Sequence, residues 1–198
     1  YNCPEEEVTP VWVDVEEEVE VDFQYSAGDL CSITEDVWVS PDGDDYVNTG
    51  TSQNNAFRTI EVALELIAPQ DDNPITINLT EGTFSPSTTG ETFSILMISN
   101  VNLIGQGEEV TILDAQQTGK VITMENCDNN TISDLTLTGG LAEGDSPDRY
   151  GGGMYLLLSS PTLTHVTIAN NTASTTGGGM HLVLSSPTLT HVTIANNT

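Results

Sequence analysis

GGGMYLLLSSPTLTHVTIANNT (151–172) is followed by GGGMHLVLSSPTLTHVTIANNT (177–198), and the two stretches are identical from Ser159 and Ser185 onward. The period is 26 residues. Self-similarity at 20–50 residues marks a solenoid, in which one supersecondary unit buries its apolar face only by stacking on its own copy. Within each copy the pattern is strand, Ser-Ser-Pro corner, then L-T-H-V-T-I. There Leu163, Val166 and Ile168 point inward, with their copies Leu189, Val192 and Ile194, and Thr162, Thr164 and Thr167 point outward. Strands of successive turns then stack in parallel about 4.8 Å apart.

Working outward, ISNVNLIGQG (98–107) and ISDLTLTGG (132–140) read as earlier turns of the same kind, with Ile132, Leu135 and Leu137 inward and with Asn100, Asp134, His165 and His191 as one row of bend residues. Preceding strands are read at VITMEN (121–126), MYLLL (154–158) and MHLVL (180–184), and LAEGDSPDRY (141–150) is the main extra loop. Upstream, Phe57, Ile60, Ala63, Leu64 and Ile67 fall at helical spacing and Pro69 closes the run, which predicts a helix plugging the open end of the stack. A leucine-rich repeat also fits L-x-x-V-x-I-x-x-N (163–171). Its return segment here, NTASTTGGGMHLVLSSP, contains three consecutive glycines and a second strand, which disfavours a helix there. The fold class expected is therefore all-β, a parallel solenoid over 37–198 with an N-terminal capping helix.

Residues 1–36 stand apart as an acidic segment. Its stretch VTPVWVDVEEEVEVDFQY (8–25) alternates like a strand; it reads equally as a strand on the main body, the tail of a preceding module or a linker. Cys3 and Cys31 flank this segment and are the candidate disulfide, leaving Cys127 as a small buried filler. The chain begins at Tyr1 and stops in the loop after a strand, so it is expected to be a processed or excerpted part of a longer array, or to stack end to end on copies of itself.

Arg58, Lys120 and Arg149 are the only basic side chains against 30 Asp and Glu, for a net charge of −27. Such a surface repels phosphate backbones and anionic lipid, which excludes nucleic acid as a partner. No apolar run is long enough to span a bilayer, so no membrane insertion is expected.

VWVSPDGDDYVNTGTSQNNAFRTIEVALELI (37–67), INLTEGTF (77–84), VNLIGQG (101–107) and TILDAQ (111–116) resemble the capped beginning of right-handed parallel β-helix proteins of the pectin-lyase-like superfold. The GGGM and IANNTAS elements are similar to the GGA(I/L) and FxxN repeats of polymorphic outer-membrane proteins and autotransporter passengers. Ile168 stands where that motif has Phe, and Gly179 where it has Ala. The resemblance implies a right-handed coil in a secreted or cell-surface protein of bacterial origin, acting as a structural or adhesive module or filament component. Its partner would be a surface polysaccharide, a protein ligand or another copy of the chain. It also raises a carbohydrate-active enzyme, a polysaccharide lyase or glycosidase with its site outside these turns, since relatives of this fold act on polysaccharides through charged residues on one strand face.

The outward positions on the short strands are Thr123 and Glu125, Tyr155 and Leu157, His181 and Val183: one carboxylate and no Arg or Lys. Glycoside hydrolysis needs two facing carboxylates and a lyase needs a positioned base. The expectation is thus no catalysis within these turns, with Tyr155, His181, Thr164, Thr167, Thr190 and Thr193, or else the LAEGDSPDRY loop (141–150), as ligand-contact candidates. The Thr rows also suggest an ice-binding face. Asp42, Asp44 and Asp45 alternate around a glycine and are the candidate calcium ligands, with an Asp-Gly turn as the competing reading.

Overall fold

The computed structural model describes residues 32–198; Cys3, Cys31 and the 8–25 strand pattern lie outside the described residues. In chain order the elements are β1 (Val37–Val39), α1 (Ile60–Leu66), β2 (Ile75–Leu79), β3 (Gly82–Phe84), β4 (Ile95–Leu96), β5 (Val101–Ile104), β6 (Thr111–Asp114) and β7 (Ile122–Glu125). They continue with β8 (Thr131–Thr138), β9 (Leu141–Ala142), β10 (Met154–Leu157), β11 (Thr162–Ala169), β12 (Thr172–Ala173), β13 (Met180–Val183) and β14 (Thr188–Ala195).

Every strand pair is parallel and each partner lies one turn away. A long sheet runs β1-β2-β5-β8-β11-β14, with β3 and β6 continuing its far side. A short sheet runs β4-β7-β10-β13, and β9 pairs with β12. This is a right-handed parallel β-helix with its helix at the N-terminal end.

Stacked rows of identical or near-identical side chains fill the interior. One row is Ile77, Leu103, Ile132, Leu163, Leu189; another is Phe84, Leu113, Leu137, Ile168, Ile194; a third, on the short sheet, is Ile95, Ile122, Met154, Met180. All but the members on β13 and β14 are buried. Full burial of each such side chain stabilises by about 1.5–3 kcal/mol.

Mid-strand, Asp134, His165 and His191 have φ of 57°, 51° and 52°. One left-handed residue breaks the two-residue alternation of a strand, so Leu163 and Val166 both face inward although three positions apart. The corner bends there without a separate loop. His165 and His191 stack with ring centroids 4.9 Å apart and planes 4° apart, and His165 Nδ1 lies 3.6 Å from Asp134 Oδ1.

Asn100 does not belong to that row, which corrects the alignment read from the sequence. Leu103 pairs with Ile132 and Ile104 with Ser133, so Gly105 stands beside Asp134. In that turn the corner is the loop 105–110, which separates β5 from β6. Asn100 instead lies in the turn just before β5, donating from Nδ2 to Asp71 Oδ1 at 2.8 Å and accepting from Asn129 Nδ2 at 2.9 Å. The mistaken match arose because V-N-L-I-G and L-T-L-T-G share the same alternation.

The triple glycine has two separate jobs. Gly151 and Gly177 have φ of 73° and 74°, whereas a Cβ on Gly153 would lie 2.5 Å from the carbonyl oxygen of Gly179. The first needs the left-handed conformation and the last needs bare backbone. Buried Asn171 ties the next corner, donating from Nδ2 to Leu137 O at 3.1 Å and accepting from Gly140 N at 2.8 Å. Cys127 is buried, and its thiol donates to Met97 O at 3.1 Å.

At the N-terminal end, α1 buries Ile60 and Ala63, and Thr59 caps it by accepting from Val62 N at 3.3 Å. Phe57, read as the first helical contact, is buried just ahead of the helix. Ile33 already pairs with the body, donating to Leu66 O at 2.8 Å. No helix among the described residues is long and apolar enough to cross a membrane.

Candidate functional site

The outer face of the short sheet carries the site. Alternation along β7, β10 and β13 turns Met124, Leu156 and Met154 inward and places Thr123 beside Tyr155 and His181, and Glu125 beside Leu157 and Val183. Those outward strand positions are the ones read from the sequence.

What the strands lack, the flanking loops supply. Lys120, just before β7, and the 141–150 loop before β10 build a cleft of about 630 Å³ over β4 and β7. Its walls include Phe93, Ser94 and Leu96 on one side and Glu143, Pro147 and Asp148 on the other, with Thr123 and Glu125 between them. Lys120 is 8% exposed; its Nζ lies 3.3 Å from Asp148 Oδ1 and 4.8 Å from the Tyr155 ring centroid. A lysine is this buried only when its charge is met, here by a carboxylate and an aromatic face.

The same loop ends in Arg149 and Tyr150. Tyr150 stacks on His181 at 4.7 Å with planes 16° apart, and His181 lies parallel to Tyr155 at 5.9 Å. Arg149 Cζ sits 5.2 Å from the Tyr150 ring centroid, and its buried Nε has no hydrogen-bond partner among the described residues. Burial pushes the Tyr155 phenol up, and the charge of Glu125 adds to the effect. Tyr155 therefore stays a neutral donor across the physiological range. Beside the cleft, stacked rings thus meet two cations in a chain that has only three, and of these Lys120 lines the cleft itself together with Glu125, Glu143 and Asp148. Such a surface can stack on the apolar face of a sugar ring and pair with an anionic substituent.

Tyr155 and His181 are thus brought together. Thr164, Thr167, Thr190 and Thr193 lie on β11 and β14, on another face, with Thr164 beside Thr190 and Thr167 beside Thr193. Glu108 leans over part of that face: its Oε2 accepts from Thr167 Oγ1 at 3.1 Å and its carbonyl from Thr136 Oγ1 at 2.7 Å.

Asp42, Asp44 and Asp45 sit in the loop after β1. Asp44 Oδ1 accepts from Tyr46 N at 2.8 Å and Val47 N at 3.1 Å, while Asp45 accepts from Arg58 N at 2.7 Å and from Thr59 Oγ1 at 3.0 Å. The oxygens of Asp44 and Asp45 thus serve the turn and the helix cap, while Asp42 donates its backbone N–H to Ser40 Oγ at 3.3 Å. Among the described residues no three His, Cys, Asp or Glu side chains gather as a metal site.

The sequence reading named the 141–150 loop as a ligand-contact candidate but missed Lys120, because it looked for catalytic charges on strand positions alone. A usable signal was present: two of three cations flank the strands of this one sheet.

Residues 41–198 match the family described as "Protein of unknown function (DUF1565)". Among solved structures the chain is similar to a pectin methylesterase mutant in complex with a hexasaccharide, at 15% identity over 82% of this chain and 50% of that one, with a TM-score of 0.53. It is also similar to the pectin methylesterase PemA from Erwinia chrysanthemi, at 15% identity over 71% of this chain and 47% of that one, with a TM-score of 0.44. The chain spans about half the length of these structures. No curated protein matches it. The likeness is one of fold. It nevertheless corrects the expectation that the chain is not an enzyme, because the fold it shares is that of a pectin methylesterase, an enzyme. The physical ground of that expectation also falls, since the loops bring to the cleft the charges that the strands lack.

Proposed function

We propose that this chain, which belongs to the DUF1565 family, is a carbohydrate-active β-helix that takes a uronate-bearing polysaccharide across the cleft of its short sheet. The observation that carries the reading is the meeting of Lys120 and Arg149 with the Tyr150–His181–Tyr155 stack. Lys120 in the cleft and Arg149 in the loop beside it are two of the three cations of a chain of net charge −27, which favours a ligand that is anionic locally. The fold is shared with a pectin methylesterase in complex with a hexasaccharide, which supports a sugar chain as the ligand. An extracellular or cell-surface location goes with such a substrate.

Electrostatics gives the reading a distinctive signature. At long range the chain repels an acidic glycan, while the cleft contacts act at close range. Salt screens the former more than the latter, the Debye length being about 8 Å at physiological ionic strength. Affinity for acidic oligosaccharides should therefore rise between about 10 mM and 150 mM salt, the reverse of binding to a basic surface.

The test is calorimetry with neutral, methyl-esterified and free-acid oligogalacturonides, together with assays for released methanol and new chain ends. Arg149→Ala should weaken acidic ligands about tenfold and neutral ones little, as expected for one lost charge-assisted contact. Absence of both binding and turnover across the panel would remove the proposal.

A second reading, a rigid surface module that displays this cleft, is favoured by the repeated turn at 151–172 and 177–198.

A further inference from the structure

Glu91 is 2% exposed, on the strap between β3 and β4. Its Oε2 accepts from Ile60 N at 2.7 Å and its Oε1 from Glu61 N at 3.1 Å. These are the first amides of α1, which a helix cannot satisfy internally. The charged groups acting on the carboxyl are Glu61 on α1 and Asp45 in the loop after β1, both acidic. Arg58, the cation closest in sequence to the helix, directs Nε to Gly43 O at 2.9 Å instead. The strap's other ties are neutral: Thr89 Oγ1 donates to Ser85 O at 3.1 Å, and Glu91 N donates to Thr89 Oγ1 at 3.3 Å. Two residues on, the strap becomes Phe93 and Ser94, which wall the cleft. One buried carboxyl, without a cation, thus fastens the cap helix to the strap.

We propose that Glu91 is a proton-operated latch between the cap helix and the strap, closed with its carboxyl neutral and freed when opening lets it ionise in water. A neutral carboxyl still offers a carbonyl oxygen to an α1 amide, whereas burying a carboxylate beside two others is costly. Burial, the largest cause, raises the pKa from 4.5 to about 7, against the hydrogen bonds from Ile60 and Glu61, which lower it. The folded value lies above the open one, so opening releases a proton. Closure is strongest below about pH 4.5, weakens up to tenfold per unit through the window to about 7, and is flat above it.

Native-state hydrogen exchange on the full chain between about pH 4.5 and 8.5 tests this, with rates corrected for intrinsic exchange. The opening equilibrium at Ile60, Glu61 and residues 85–94 should rise by about 10²-fold to pH 7 and then level off. Glu91→Gln should make that profile flat. Glu61→Gln, at an exposed position, keeps the latch but removes a repelling charge, so the upper end of the window should move to lower pH; this variant decides the matter if Glu91→Gln does not fold. A flat profile in the native chain, an unchanged slope in Glu91→Gln, or a window unmoved in Glu61→Gln would each overturn the latch.

Discussion

Strands β11 and β14 repeat residue for residue, whereas the turns from β2 to β7 carry corners of changing length. In the repeated part, Thr164 lies on Thr190 and Ile168 on Ile194, and the corner is a single left-handed histidine. In the earlier part the same corner swells to the loop 105–110 and the next connection brings Lys120 to the short sheet. Regularity makes a rod. Departures from it make a cleft, because only a loop longer than its neighbours can rise above a sheet face and wall it.

Substitutions that differ only in the turn they fall on can break or sharpen this contrast. The largest effect is expected for Leu163→Ala, which empties a fully buried place in the stacked row and should cost about 2–5 kcal/mol in urea unfolding. Leu189→Ala, its copy at 47% exposure, should cost well under half of that. Equal losses would mean that β14 is covered in solution. Next comes Asn171→Ala, which strands Gly140 N and Leu137 O and should cost about 1–3 kcal/mol. Asn197→Ala, half-buried, should cost less. The smallest change is expected for His165→Asn, within about 0.5 kcal/mol, since Asn accepts a φ of 51° readily. A loss above about 2 kcal/mol there would show that the stacked imidazoles do more than fill a bend.

This contrast also explains how much was legible in the sequence. The inward row Leu163, Val166, Ile168 could be read because burial repeats with the turn, and the buried positions are those expected. The cap helix was legible from its apolar spacing, though it begins at Ile60, after Phe57 has already packed. Asn100 was misplaced because alternation alone cannot tell one side of a corner from the other. The cleft was largely illegible: the path of Glu143, Asp148 and Arg149 over the sheet follows from loop length and from the stacking of Tyr150 on His181, neither of which leaves a periodic trace. Charge scarcity was the remaining clue, since two of the three cations flank the strands of the short sheet.

The identity of residues 159–172 and 185–198 has a kinetic consequence. While the chain is still condensing, β8 meets two successors that present the same Leu, Val and Ile knobs. Pairing with the later one skips a whole turn and leaves it as a bulging loop, at a closure penalty that grows by only about 0.6 kcal/mol per doubling of loop length. Few contacts discriminate: Tyr155 against His181 and Leu157 against Val183 on the short strand, and the tether formed by the 141–150 loop. Refolding should therefore show a slow phase from turn-skipped chains, and marking one copy, for instance with Ile194→Val, should shift its amplitude. The same near-degeneracy lets a lineage add or lose a turn with its neighbours already fitted to the result.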